Sequence, residues 1–206
     1  MIEAELKARV HAPEAVMRQL DDRAPARIEE YKDTYYDRPD MALEKAGQEL
    51  RVRTVRSDSS VRTVLTFKEA SVDEESGSKP EHETAVASAE AAHAILHGLG
   101  HVPVIAFKKH CRNHEFEAHG RRMLATLVTV AELDGTFLEL ETLVNESEVA
   151  DALDDLRTVL CELGVDLEDL TRELYTDAVA AKRASGQSPE EGPAVRQGPP
   201  KFPGPT

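Results

Sequence analysis

The sequence predicts an α+β domain built mainly from antiparallel strands. Three observations carry that expectation. Strand-like segments outnumber helical ones, about eight to four, in a chain of 206 residues. Along several of these segments ionic and apolar side chains alternate with a period of two, so each strand has one charged and one apolar face. The charged faces also carry both signs, as in Glu3, Glu5, Lys7 and Arg9 opposite Ile2, Ala4, Leu6 and Ala8. The length favours one domain large enough to bury a core.

The elements follow in order. Residues 2–10 alternate cleanly and read as a strand. Pro13 opens a helix running to Leu20, because proline is tolerated in the first turn. Strand patterns follow at 34–37, 50–56, 62–69 and 81–86, with a polar Ser, Asp, Glu and Gly loop at 71–78. Ser88 can cap a helix that ends at Leu99 before Gly100. Three more strands cover 105–111, 123–131 and 136–142. Ser147 can cap a helix whose apolar stripe is Val149, Leu153, Leu156, Leu160 and Leu163, closing at Gly164, and a last helix spans 167–182. Residues 184–206 hold six of the 11 prolines and no apolar periodicity, so a disordered tail is expected beyond a domain at 1–183.

Composition narrows the function. Lys and Arg number 25 against 39 Asp and Glu, a formal net charge of −14, and the tail's charges cancel, so the acid excess belongs to the domain. Proteins that bind nucleic acid or anionic membranes gain affinity from the opposite balance. The N-terminus has no basic start or apolar run of signal-peptide type, and no stretch approaches a membrane span. A soluble, cytoplasmic protein is expected, with Cys111 and Cys161 as reduced thiols.

The charged faces recur at Arg51 and Arg53, at Arg62, Thr66 and Lys68, at Lys79, Glu81 and Glu83, and at Glu139 and Glu141. An antiparallel sheet with a solvated outer face would account for any one of them. Glu-x-Glu and Arg-x-Arg, however, put like charges side by side, which repel unless opposite charges or ligands intervene. If these faces line a closed barrel, the cations form a cradle for a multiply charged anion and the paired glutamates can hold a divalent cation.

Five motifs, in order, resemble those of the CYTH superfamily, the triphosphate tunnel enzymes. They are Glu3-x-Glu5-x-Lys7, the strand around Asp33 to Asp37, Leu50-Arg51-Val52-Arg53, Leu65-Thr66-Phe67-Lys68 and Phe137-x-Glu139-x-Glu141. The resemblance spans about residues 1–180. It implies a closed antiparallel barrel of about eight strands with helices packed outside. By the same resemblance the lumen is lined by Lys7, Arg9, Arg51, Arg53, Lys68, Lys79 and Lys109 as substrate-binding residues. Glu3, Glu5, Glu81, Glu83, Glu139 and Glu141 would be the ligands of Mg or Mn, and Glu3, Glu5 and Lys7 the catalytic group. Three departures stand out: Lys79 replaces an arginine, Lys109 is followed at the next same-face position by Cys111 unless an irregularity turns Arg112 inward, and Thr129 falls where relatives carry an acid.

The family contains class IV adenylate cyclases, thiamine triphosphatases and inorganic triphosphatases. The stretches 34–53 and 146–175 look most like the cyclase branch, which implies ATP conversion to cyclic AMP and pyrophosphate. Triphosphate hydrolysis, or nucleotide binding without turnover, stays open. The implied partner is a small triphosphate, with no nucleic acid and no membrane, and a homodimer is one open assembly state. His93 and His97, and the set His110, His114 and His119, lack a metal-ligand pattern and read as packing or surface residues. Cys111 reads as a small strand residue, and adjacent Tyr35 and Tyr36 must face opposite ways. Arg172, Glu173 and Tyr175 fall where relatives close one end of the tunnel.

Overall fold

The computed structural model describes residues 2–73 and 77–186. Its strands are β1 (Ile2–Val10), β2 (Arg27–Asp37), β3 (Glu49–Arg56), β4 (Val61–Lys68), β5 (Lys79–Val86), β6 (Val102–Ala118), β7 (Arg121–Val130) and β8 (Thr136–Val144). They close into an antiparallel barrel in the order β1-β5-β4-β3-β2-β6-β7-β8. The helices α1 (Pro13–Arg23), α2 (Ala42–Lys45), α3 (Ala89–Gly98), α4 (Val149–Glu162) and α5 (Tyr175–Ala184) lie outside it. Most of the predicted strands run longer than their signals, and β6 extends well past Cys111. Among the described residues no helix is long and apolar enough to cross a membrane.

The alternation along the strands places the core outside the barrel wall. Ile2, Ala4, Leu6, Ala8 and Val10 join Leu138, Leu140, Met123 and Ala125 beneath α4, whose Leu153, Leu156, Leu160 and Leu163 are buried. Each such leucine contributes roughly 1.5–3 kcal/mol of burial. The helix is introduced by a short turn at Glu146–Glu148, and its entry is fixed by Asn145 instead of Ser147: Glu148 accepts from the Asn145 backbone N–H at 3.1 Å and from its side-chain amide at 2.9 Å. On the far wall α3 starts at Ser88, whose Oγ accepts from Ala91 N–H at 3.1 Å. Its Ala92 and Leu96 pack on Tyr36, Leu50 and Val52.

Two features position the lumen. The barrel has a narrow seam: β1 pairs with β8 from Ile2↔Val144 to Val10↔Thr136, but with β5 only at Ile2↔Pro80 and Glu3↔Lys79. The helix expected over 167–182 is also broken. A turn at Leu167–Asp169 leads into extended backbone, Leu170 bridges Ala8, and Thr171 N–H donates to Lys7 C=O at 2.8 Å before α5 begins at Tyr175. Pairing with β1 outweighs the local helical pattern. Ala184 is the last residue of α5; residues 187–206 of the expected tail lie outside the described residues.

Candidate active site

Register fixes which charged residues share the lumen. Across β1 and β8, Glu5 lies opposite Glu141 and Lys7 opposite Glu139. Across β2 and β3, Asp33 faces Arg53 and Tyr35 faces Arg51. Arg51 continues to Thr66, Thr66 to Glu83, and Lys68 to Glu81. Tyr31 lies opposite Lys109 on β6. A closed barrel brings these side chains together although they come from strands far apart in sequence.

Three carboxylates form the acidic focus. One oxygen each from Glu3, Glu5 and Glu141 lies within 4.8 Å of the others. Burial pushes the Glu5 carboxyl up to about 7, with Glu3 and Glu139 adding to the rise. Burial likewise pushes Glu141 well above the usual carboxylate range, and Glu3 and Glu5 reinforce it. Burial also raises Glu3, against the pull of Lys68. Such crowding of hard oxygen donors suits a hard divalent cation.

The cations surround that focus. Lys68 pairs with Glu3 and, at 2.9 Å, with Glu81. Burial works against its ammonium, but Glu3, Glu5 and Glu81 hold it well above the usual lysine range. Arg53 grips Asp33 through Nε at 2.7 Å and Nη2 at 2.8 Å, and its guanidinium lies 4.4 Å over the Tyr31 ring. Despite its burial, Asp33 is held well below the usual range by Arg53. Arg51 donates to Thr66 Oγ1 at 3.3 Å, and Thr66 donates to Glu83 at 3.1 Å. Lys109 meets Glu139 at 3.2 Å, and although burial would raise Glu139, Lys109 and Lys7 hold it low.

One end of the lumen is capped by aromatic rings. Tyr175 packs edge-on to Phe137 at 5.4 Å and tilted against Phe107 at 6.5 Å. The Lys7 and Lys109 ammonium groups lie 4.5 and 4.2 Å from its centroid. Lys7 also donates to the Glu173 carbonyl, and burial lowers its pKa. Broken backbone at 170–174 is what allows Tyr175 to point inward from the first turn of α5.

Glu3, Glu5, Lys7, Arg51, Arg53, Lys68, Lys109, Glu81, Glu139 and Glu141 thus converge on the lumen, though only Glu3, Glu5 and Glu141 cluster closely enough to share one ion. Arg9 stands apart. It is exposed, lies 5.1 Å over the Phe137 ring, donates to the Asp134 carbonyl at 3.2 Å, and borders an outer cavity of about 450 Å³. Lys79 is committed to Glu49 at 2.6 Å and to the Gly47 carbonyl at 3.0 Å, and Glu83 is exposed beside the seam.

The departures resolve by register. Cys111 shares the lumen face with Lys109, its thiol pushed up to about 12 by burial, while Arg112 turns out to Asp21 at 2.6 Å. Thr129 is exposed and points outward; the inward positions of β7 are Leu124, Thr126, Val128 and Val130, none of them acidic. Sequence reasoning missed a buried polar group below Arg53. Glu29 accepts from Tyr31 Oη at 3.1 Å, Asn113 Nδ2 at 2.9 Å and Arg62 at 2.9 Å, and Thr126 donates to Asn113 at 2.8 Å. The run Glu29-x-Tyr31-x-Asp33 was the available signal. His93 bonds Tyr36 at 2.6 Å and buried His114 bonds the Ala24 carbonyl at 2.9 Å, which are packing roles.

A lumen of this composition inside an eight-stranded antiparallel barrel defines a class, and the chain belongs to it: the CYTH domain family model matches residues 1–175. Proteins of this family bind triphosphates and use divalent metal ions. Among solved structures the chain is similar to the PH1819 protein of Pyrococcus horikoshii, at 28% identity and TM-score 0.75, covering 88% of this chain and 99% of that one. A candidate adenylate cyclase from Vibrio parahaemolyticus matches at 19% identity and TM-score 0.72, covering 88% and 98%. A candidate adenylyl cyclase from Hippeastrum, described as having a dominant triphosphatase activity, matches at 17% and 0.61, covering 89% and 95%. The last two likenesses concern the fold alone. No curated protein matches the chain.

Proposed function

We propose that this chain is a metal-dependent cytoplasmic enzyme of class IV adenylate cyclase type, converting ATP to cyclic AMP and pyrophosphate. One observation carries the reading: Glu3, Glu5 and Glu141 crowd together in a closed barrel beside Lys68, Arg51, Arg53 and Lys109. Three half-buried carboxylates that raise one another's pKa are unfavourable alone and suit a divalent cation of hard type. Glu3, Glu5 and Glu141 would hold Mg or Mn, which when bound neutralises phosphate charge and polarises the phosphorus–oxygen bonds.

The chain's own groups do the rest by positioning and charge. Lys68, Arg51, Arg53 and Lys109 bind the phosphate oxygens, and Asp33 fixes the plane of the Arg53 guanidinium. Lys7 adds positive charge at the capped end, where Tyr175, Phe137 and Phe107 exclude water. Glu139 orients Lys109, and Glu81 orients Lys68. Lys79, Glu83 and Arg9, at the edges, contribute to entry instead of to the reacting centre. In the reaction the ribose 3′ oxygen bonds to the α-phosphorus as the bond to pyrophosphate breaks; the hydroxyl proton ends on water or on pyrophosphate, and no covalent enzyme intermediate forms.

A second reading, a nucleotide-binding module without turnover, is favoured by Cys111 beside Lys109 and by the lack of acid at Thr126 and Val128. Phosphorus NMR of ATP, thiamine triphosphate and tripolyphosphate incubated with the protein and Mn separates these. Cyclic AMP with pyrophosphate is expected from ATP. Orthophosphate release would make the chain a triphosphatase, and unchanged substrates with tight binding would make it a binding module.

A further inference from the structure

Tyr35 lies outside the metal focus, with its phenol near enough to Arg51, Arg53 and Lys109 of the cation clamp to act on them electrostatically. It sits on β2 directly opposite Arg51, and the pairing of β2 with β6 slips at this point, from Tyr35↔Ile105 to Tyr36↔Pro103. Irregularities of this kind re-aim side chains and recur beside binding sites. Tyr36 turns outward to α3, and Tyr35 turns in. Its ring stacks on Phe107 with centroids 5.9 Å apart and planes 14° apart, and Phe107 is in turn backed by Tyr175.

The other inward rings are committed. Tyr31 carries the Arg53 guanidinium and donates to Glu29, and Tyr175 lies between two ammonium groups and two phenyl rings. Among the described residues Tyr35 is the inward aromatic side chain left partly exposed, and its hydroxyl has no protein hydrogen-bond partner. A partly exposed ring backed by a second ring is an arrangement on which a nucleobase can stack. Its partner position, Arg51, belongs to the phosphate clamp, so a phosphate chain held there leaves its organic end beside Tyr35.

We infer that Tyr35, backed by Phe107, is a nucleobase platform, so that the tunnel prefers nucleoside triphosphates over inorganic tripolyphosphate. The inference rests on the reading of the lumen as a triphosphate site. The test is calorimetric titration of ATP and of tripolyphosphate, each with Ca, into wild type, Tyr35→Phe, Tyr35→Leu and Tyr35→Ala. The platform predicts that Ala and Leu weaken ATP binding about tenfold, while tripolyphosphate binding stays within about twofold, and that Phe retains both. Leu keeps bulk in the wall should the Ala variant fail to fold. Equal losses for both ligands, no loss for either, or loss with Phe as large as with Ala would overturn the platform. So would a wild type that binds tripolyphosphate but not ATP, leaving the triphosphate reading intact. Binding of neither ligand by wild type would overturn that reading and the platform with it.

Discussion

Glu5 has carboxylate neighbours on its own strand and on the strand beside it, and that crowding has a measurable consequence. Its folded pKa of about 7 exceeds the ordinary 4.5, and Glu3 and Glu141 are raised as well. The folded state therefore holds these protons more tightly than the unfolded chain. The stabilisation is complete below about pH 4.5 and is lost as pH rises through about 7. Asp33 and Glu139, whose values are lowered, act in the opposite direction and lose their contribution as pH falls. The metal-free protein should thus melt higher near pH 5.5 than at pH 8, by roughly 5 °C, and saturating Mn should remove the difference. Glu5→Gln should flatten the metal-free profile while lowering metal-dependent turnover at least about a hundredfold. Differential scanning fluorimetry across pH, with and without chelator, checks the first part, and a product assay checks the second.

At the scale of elements, what was legible in the sequence depended on ionic markers. Strand β1 announces itself because Glu3, Glu5, Lys7 and Arg9 alternate with small or branched apolar residues, and the same holds for Glu139 and Glu141 on β8. Strand β7 carries no such marker, since Leu127, Val128 and Val130 are all apolar, and its inward face was misassigned to Thr129 by one residue. The helix at 167–182 was misread for another reason: Leu170 and Thr171 bond to β1, a tertiary contact that no local pattern contains. That break matters because it delivers Tyr175 into the lumen. Replacing Tyr175 with Ala should cost about 3–5 kcal/mol through the cavity it leaves, and should weaken triphosphate binding by freeing Lys7 and Lys109 and admitting water. Tyr175→Phe should preserve both properties, because its ring contacts remain. Chemical denaturation and ligand titration of the two variants give the answer, and equal behaviour of Ala and wild type would remove Tyr175 from the cap.

Across the whole molecule, the barrel inverts the usual arrangement of a small domain. Its larger apolar core lies between wall and helices, and its interior is ionic except at the capped end, where Phe107, Val128, Val130, Phe137 and Tyr175 cluster, while the chain as a whole carries a net charge of −14. Such an interior is costly unless its charges are paired, and most of them are, through Lys68, Arg53 and Lys109. Glu5 and Glu141 have no ion-pair partner among the described residues, and with Glu3, which shares Lys68 with Glu81, they form a cluster where acids outnumber the available cations. The central claim is that this cluster takes a divalent cation and that the cation and the basic clamp together take a triphosphate. Titration of tripolyphosphate into the protein with Mn and again in excess chelator, for wild type and for Glu141→Gln, tests it most directly. The account predicts binding at least about a hundredfold tighter with Mn in wild type, with most of that gain lost in Glu141→Gln. Equal affinity in Mn and in chelator, or a full Mn effect in the variant, would contradict it.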